Sequence, residues 1–333
     1  MTTDKRHHVV ALDGHVQLPP LSIPHTITSY TSTSASELAD RIKDATIIVC
    51  SATKLPHATL VSSASPGLAL ITSMGAGHDH VSHDAVRELG VTLCNVPAQN
   101  TDSVTEHAIA LYFAVKRRLL PMHAYTVDGE SWGRTKVPVR SFGQVPRTCG
   151  EEVLGVVGYG ALGKSVARMA KALGMRVLVA ERKGATETEI REGRVAFEQV
   201  LKECTVLILT CPLDASTRNM IDSAELRTMQ NSAIVVNVGR GGVVNEPALA
   251  AALKAGTIAG AGTDVFEHEP ATKENCPLLD PEVPNLVLSP HVAWFSHKTI
   301  EGTLQTIKAN IEGYVAGKPQ NVVIAGRGVT VGA

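Results

Sequence analysis

The chain has 333 residues, 44% hydrophobic and 19% charged, which is the composition of a globular protein and length enough for roughly two domains of about 150 residues. Lys plus Arg number 31 against 32 Asp plus Glu, a formal net charge of −1, which excludes a strongly basic nucleic-acid or anionic-membrane binder as the default class. The six cysteines include no C-x-x-C pair; a reducing compartment with the thiols as small buried hydrophobes is the expectation.

In chain order, short apolar runs alternate with helix-length segments. Val9–Leu12, Thr46–Cys50, Leu68–Thr72 and Val91–Cys94 read as strands, with a helix over Ser36–Lys43 opened by a Ser34-x-x-Glu37 capping box. The Ser/Thr-rich Thr28–Ser36 reads as an ordinary loop. Thr101–Leu120 is an apolar helix-like run read as a connector, and the polar stretch from Pro121 to Gly150 reads as a long surface loop, of the kind that often serves a subunit contact. The pattern then starts again. Strands are expected at Val153–Val157, Arg176–Ala180, Val206–Thr210, Ala233–Val238, Ile258–Asp264 and Leu286–Leu288. Helices are expected at Lys164–Leu173, at Glu246–Ala255 between N-cap Asn245 and C′ Gly256, and at Thr299–Val315. Continuous apolar strands suit a parallel sheet covered on both faces, so the class is α/β with the unit present twice.

The sharpest motif is Gly155-Val-Val-Gly158-Tyr-Gly160-Ala-Leu-Gly163, which follows a strand, opens a helix and precedes an acid, Glu181, 18 residues beyond Gly163. A lone G-x-G-x-x-G is weak, but this one has the context of a dinucleotide site. Gly158 serves the tight turn, Gly160 admits the pyrophosphate, and Gly163 lets the helix approach the sheet. The helix N-terminus offers N–H groups and a positive dipole to phosphate. Glu181 suits the adenosine ribose hydroxyls and favours NAD, since a carboxylate repels a 2′-phosphate. Arg182 and Lys183 offset part of that repulsion, which leaves NADP possible, although both also read as a solvated turn. The alternative for the whole motif is a glycine-rich structural turn without a ligand.

Ligands in open α/β sheets bind beyond the carboxyl ends of strands. There the sequence places Arg240 in Gly239-Arg-Gly-Gly242, Glu269 in Glu267-His-Glu269-Pro and His291 in Ser289-Pro-His291. Arginine binds a carboxylate with paired hydrogen bonds and polarises a carbonyl. Histidine exchanges a proton near neutrality, and a carboxylate beside it fixes its orientation. With hydride from a nicotinamide, the set describes interconversion of a 2-oxo acid and a 2-hydroxy acid. Singly, each has a plain alternative: a surface arginine, a solvated acid, a capping histidine. Most of the 13 histidines must be bystanders, among them His7, His8, His57, His83 and His123.

On Gly158–Gly163, Val236-Asn-Val-Gly-Arg240-Gly-Gly, Thr263-Asp264-Val-Phe-Glu-His-Glu269-Pro, Ser289-Pro-His291-Val-Ala-Trp294 and Met74-Gly-Ala-Gly-His-Asp79, the chain resembles the D-isomer-specific 2-hydroxyacid dehydrogenases. Ala180-Glu-Arg-Lys-Gly-Ala185, Asn95-Val-Pro-Ala and His291-Val-Ala-Trp294 look most like the glycerate dehydrogenases, or hydroxypyruvate reductases. The resemblance implies two Rossmann-like domains: a flavodoxin-like substrate domain over 1–100 and 296–333, and an NAD-binding domain over 101–295, with the active site in the cleft between them. It implies that Arg240 binds the substrate carboxylate and carbonyl, that His291 is the proton donor and Glu269 its partner, and that the N–H groups of Ala76 and Gly77 hold the carboxylate. Ala161, Leu162, Glu181, Cys211, Thr217, Val238 and Asp264 fall at positions that contact NAD in relatives, with Asp264 at the nicotinamide amide. Trp294 would narrow the pocket for hydroxypyruvate or glyoxylate; its plain alternative is packing. A homodimer is implied, with the loop after Pro121 reaching the partner and Trp132 near the partner's site. Gln99 and His78 depart from the usual family residues, which leaves the 2-oxo acid open.

The competing class is an NADH-sensing protein like the corepressors that resemble this family. It ranks lower because the chain ends soon after its last helix and the substrate loop keeps its glycines. MTTDKRHHVV meets charge before any apolar run, no stretch of about 18 apolar residues occurs, and GVTVGA carries no simple retention or peroxisomal signal. The expected location is the cytoplasm, without membrane or nucleic-acid partners and without a metal.

Overall fold

The computed structural model describes residues 6–14, 17–139 and 145–329. The chain divides into two compact units, Met1–Asn100 with Ser296–Ala333, and Thr101–Phe295. The first opens with β1 (His7–Ala11), β2 (His25–Ser29), α1 (Ala35–Ile42), β3 (Ile47–Cys50), α2 (His57–Ser63), β4 (Leu70–Ser73), α3 (His83–Leu89) and β5 (Thr92–Cys94).

The second unit begins with α4 (Thr101–Lys116), α5 (Leu119–Val127) and α6 (Ser131–Thr135). It continues through β6 (Val153–Val157), α7 (Ala161–Ala172), β7 (Arg176–Val179), α8 (Phe197–Glu203), β8 (Val206–Leu209), α9 (Ser223–Thr228), β9 (Ile234–Asn237), α10 (Glu246–Lys254), β10 (Gly260–Thr263) and β11 (Leu286–Leu288). The chain then returns to the first unit with α11 (His297–Val315) and β12 (Val322–Ile324).

Each unit is built on a six-stranded sheet, ordered β2-β1-β3-β4-β5-β12 in the first and β7-β6-β8-β9-β10-β11 in the second. Pairing is parallel throughout, except that β12 runs antiparallel to β5. Both faces of each sheet are buried. In the first unit Val10, Ile48, Ile71 and Leu93 pack with Leu38, Leu60 and Val86 of α1–α3. The alternate residues Val9, Ile47, Val49 and Leu70 pack with Ile307 and Ile311 of α11. In the second, Val156, Ile208 and Val236 meet α4 and α7, while Leu207, Leu209 and Val235 meet α8–α10. Period-two alternation with apolar residues on both sides is what makes these strands read as continuous runs.

Two expectations need correction. The helix α4 is a core element, with Val104, Ala108, Tyr112 and Val115 buried. A buried Lys116–Glu152 ion pair at 2.9 Å ties its end to the start of β6. The stretch after Pro121 is not one long loop, because it contains most of α5 and all of α6. Pro121 lies in the first turn of α5, where a missing N–H is tolerated. Neither helix buries a residue. Sequence patterning also passed over β2 and β12, short edge strands without a continuous buried apolar run. Among the described residues no helix is long and apolar enough to cross a membrane.

Candidate active site

The strand order of the second sheet reverses between β6 and β8, and the glycine turn lies at that point. Gly158 has φ +86°, and a Cβ on it would come within 2.7 Å of the Cys211 backbone. A Cβ on Gly163 would overlap the Gly158 carbonyl, whereas one on Gly160 would meet nothing within 4 Å. Gly160 is the N-cap of α7 and supplies no side chain to its first N–H groups. Gly160 and Ala161 are exposed and Leu162 is half-buried. An open helix N-terminus behind a tight glycine turn is a cradle for a dinucleotide pyrophosphate.

The neighbouring strand ends carry the other predicted contacts. Cys211 is buried, which pushes its thiol up to about 11. Thr217 Oγ1 donates to the Pro212 carbonyl and accepts from Asp214 N, both at 2.8 Å. Buried Val238 donates its N–H to the Leu209 carbonyl at 3.2 Å. Glu181, expected at the adenosine ribose hydroxyls, is already engaged by donors of the protein. It is 4% exposed, and Arg191 grips it with Nη2 on Oε1 and Nε on Oε2, the latter at 2.8 Å. The Arg182 and Arg191 amides donate to the same two oxygens, at 2.9 and 3.2 Å. The Arg191 hydrogen bond outweighs burial and holds this carboxyl at about 2.

Arg240, Glu269 and His291 stand on three loops of this unit. His291 Nδ1 lies 2.7 Å from Glu269 Oε2, and Glu269 Oε1 accepts from Phe266 N at 2.9 Å. Burial pushes the Glu269 carboxyl up, but the hydrogen bond and charge of His291, the Phe266 N–H and the Arg240 charge outweigh it and leave it below the ordinary range. Asn237 secures the arginine loop by donating to the Arg240 carbonyl at 2.9 Å and accepting from Gly239 N at 3.1 Å. A Cβ on Gly241 would overlap the Phe266 carbonyl, so the arginine and glutamate loops pass in close contact. Buried Glu246 accepts from Glu267 N at 2.7 Å and fixes the second loop.

His291 itself has φ +54°, a left-handed conformation that costs a non-glycine residue roughly 1–2 kcal/mol. Asp264, 1% exposed, holds the loop in it. Its Oδ1 accepts from Ser289 Oγ at 2.6 Å and Val292 N at 3.0 Å, and its Oδ2 accepts from Ala293 N at 2.9 Å. Among the described residues Oδ2 accepts no second hydrogen bond, which leaves it one lone-pair site. His107 reaches Ser289 Oγ at 2.8 Å. Trp294 donates its indole N–H to the His291 carbonyl at 2.8 Å and stands edge-on to Phe295. The supporting roles of Asn237, Glu246, His107 and Arg191 were not foreseen. Asn237 alone had a signal, its place inside the arginine motif.

In the first unit, Ala76 and Gly77 lie on the loop after β4. Their carbonyls accept from Asn95 Nδ2 and Ser73 Oγ, both at 2.8 Å. Among the described residues their N–H groups donate to no protein oxygen, the arrangement an anion would use. His78 follows and bonds to His83 at 2.9 Å, and Gln99 packs against Gly302 of α11. Among the described residues no group of three or more His, Cys, Asp or Glu is placed to hold a metal.

The family profile described as "D-isomer specific 2-hydroxyacid dehydrogenase, NAD binding domain" matches residues 109–293. The chain is 38% identical over 316 residues to the glycerate dehydrogenase of Methylorubrum extorquens, covering 95% of this chain and 96% of that one. It is 34% identical to the glyoxylate reductase of Thermococcus litoralis, covering 86% of each. Among solved structures, the NADPH-dependent glyoxylate/hydroxypyruvate reductase of Sinorhizobium meliloti superposes with TM-score 0.76 at 26% identity, covering 96% of this chain and 98% of that one. The fold and the matches define an NAD-dependent oxidoreductase. The chain belongs to the D-isomer-specific 2-hydroxyacid dehydrogenase family.

Proposed function

We propose that this enzyme reduces a small 2-oxo acid, hydroxypyruvate or glyoxylate, to the corresponding 2-hydroxy acid, with D configuration at any new stereocentre. The observation that carries the reading is the gathering of Arg240, Glu269 and His291, with Nδ1 of the histidine 2.7 Å from the carboxylate. Relatives named for glycerate and glyoxylate support the substrate class. A bound reduced nicotinamide supplies the hydride. Arg240 pairs with the substrate carboxylate and polarises the carbonyl oxygen. His291 gives that oxygen a proton from Nε2, because Nδ1 is engaged by Glu269, whose carboxylate orients the ring. The N–H groups of Ala76 and Gly77 hold the substrate carboxylate, and Trp294 limits the pocket to small acids.

The glycine turn with Ala161 and Leu162 receives the pyrophosphate. Cys211, Thr217 and Val238 line its path, and Asp264 meets the carboxamide with its remaining acceptor position. Glu181 marks the adenosine ribose end. The protein works in the cytoplasm, in keeping with six unpaired cysteines. It acts as a homodimer through α5 and α6, which expose Leu119, Leu120, Val127 and Trp132, apolar side chains that a partner surface would cover. Neither a nucleic acid nor a membrane is needed as a partner. Chiral analysis of the product from hydroxypyruvate and NADH tests the reading. D-glycerate is expected, and L-glycerate would overturn it.

A further inference from the structure

An acid at the end of the second strand of a dinucleotide fold selects NAD because its oxygens accept from the ribose hydroxyls and its charge repels a 2′-phosphate. In this chain both properties of Glu181 are already used. Oε1 accepts from Arg182 N and Arg191 Nη2, and Oε2 accepts from Arg191 N and Nε. Arg194 Nε adds a further cation at 3.8 Å from Oε2. A carboxylate has about four lone-pair sites, and here four N–H groups occupy them.

Of the cations lining this place, Arg182 alone is engaged by no carboxylate among the described residues. Arg182 is exposed, and its guanidinium makes no hydrogen bond or ion pair with any described residue. Arg191 is half exposed while it grips Glu181. Lys183 is already matched by Glu225 at 2.8 Å. Glu189 stays ionised, with one carboxylate oxygen engaged by its own capping box at Thr186. Glu181, Arg182, Lys183, Glu189 and Arg191 line one open concavity. A guanidinium pairs with phosphate through two parallel hydrogen bonds, so free Arg182 and partly exposed Arg191 match a phosphate monoester at this place.

We infer that the adenosine end of the site takes a 2′-phosphate, so that NADP(H) binds at least as tightly as NAD(H). Arg182 is the principal phosphate ligand, and Arg191 both cancels Glu181 and shares the phosphate. This rests on the dinucleotide reading of the site and adds its cofactor specificity. Titration of the whole protein with NADPH and with NADH, followed by nicotinamide fluorescence, tests it without turnover. The wild type should bind NADPH with a Kd equal to or below that for NADH. Arg182→Ala should weaken NADPH by about tenfold, as loss of a charge-assisted pair does, and leave NADH within about twofold. Arg191→Ala should release Glu181 and turn the preference toward NADH. Should that variant fail to fold, the exposed Arg182→Ala decides the matter alone. Weaker binding of NADPH than of NADH by the wild type would overturn the inference, as would an equal loss of both cofactors in Arg182→Ala. Binding of neither cofactor by the wild type would instead overturn the dinucleotide reading, and the inference with it.

Discussion

Glu181 and Glu269 lie in the same unit, and their surroundings give them different work. Glu269 faces His291, whose hydrogen bond helps hold its carboxyl below the ordinary range. Glu181 is engaged by arginine and lies at about 2, below the ordinary 4.5. A carboxyl depressed by folding contributes stability that is fully present above its unfolded value and is lost as pH falls through the folded value. Between about pH 4.5 and 2 the wild type should therefore lose thermal stability more steeply than Glu181→Gln; parallel curves would contradict this. The placing of Arg240, Glu269 and His291 at strand ends was legible in the sequence because each follows a strand that reads plainly. The Arg191 grip was not, because it comes from a polar stretch whose path only the folded loop fixes.

At the level of elements, the glycine turn and α7 make a paired prediction. Gly163→Ala sets a Cβ against the Gly158 carbonyl, and overpacking of this kind costs about 1–3 kcal/mol. Its melting temperature should fall along with cofactor affinity. Gly160→Ala meets open space, so it should melt like the wild type and still bind cofactor more weakly. Equal melting of the two variants would remove the structural distinction between these glycines. The interior strand Val153–Val157 and the edge strand Leu286–Leu288 were both legible to the residue, since their apolar runs are bounded by turns. The edge strand β2, His-Thr-Ile-Thr-Ser, has too little buried apolar surface to announce itself. Helices α5 and α6 were hidden for a related reason: with no buried face in this chain, their pattern lacks the stripe by which a surface helix is read.

For the whole molecule, that missing face has a proposed owner, a second copy of the chain. Leu120→Asp combined with Trp132→Glu, at side chains 54% and 57% exposed, should convert the dimer to monomer in light scattering while each unit keeps its fold. A wild type that is monomeric at micromolar concentration would contradict the dimer.

The proposed chemistry is reduction of a small 2-oxo acid with His291 as proton donor. Initial rates of reduced-nicotinamide consumption over hydroxypyruvate, glyoxylate, pyruvate and a bulky 2-oxo acid, for wild type and His291→Ala, test it most directly. Fast turnover of hydroxypyruvate or glyoxylate by the wild type is expected. In His291→Ala the rate should fall about 10²–10⁴-fold, the usual range for general acid catalysis, with cofactor affinity kept. Cofactor binding without turnover of any 2-oxo acid would contradict it and point to a sensor of the reduced nicotinamide.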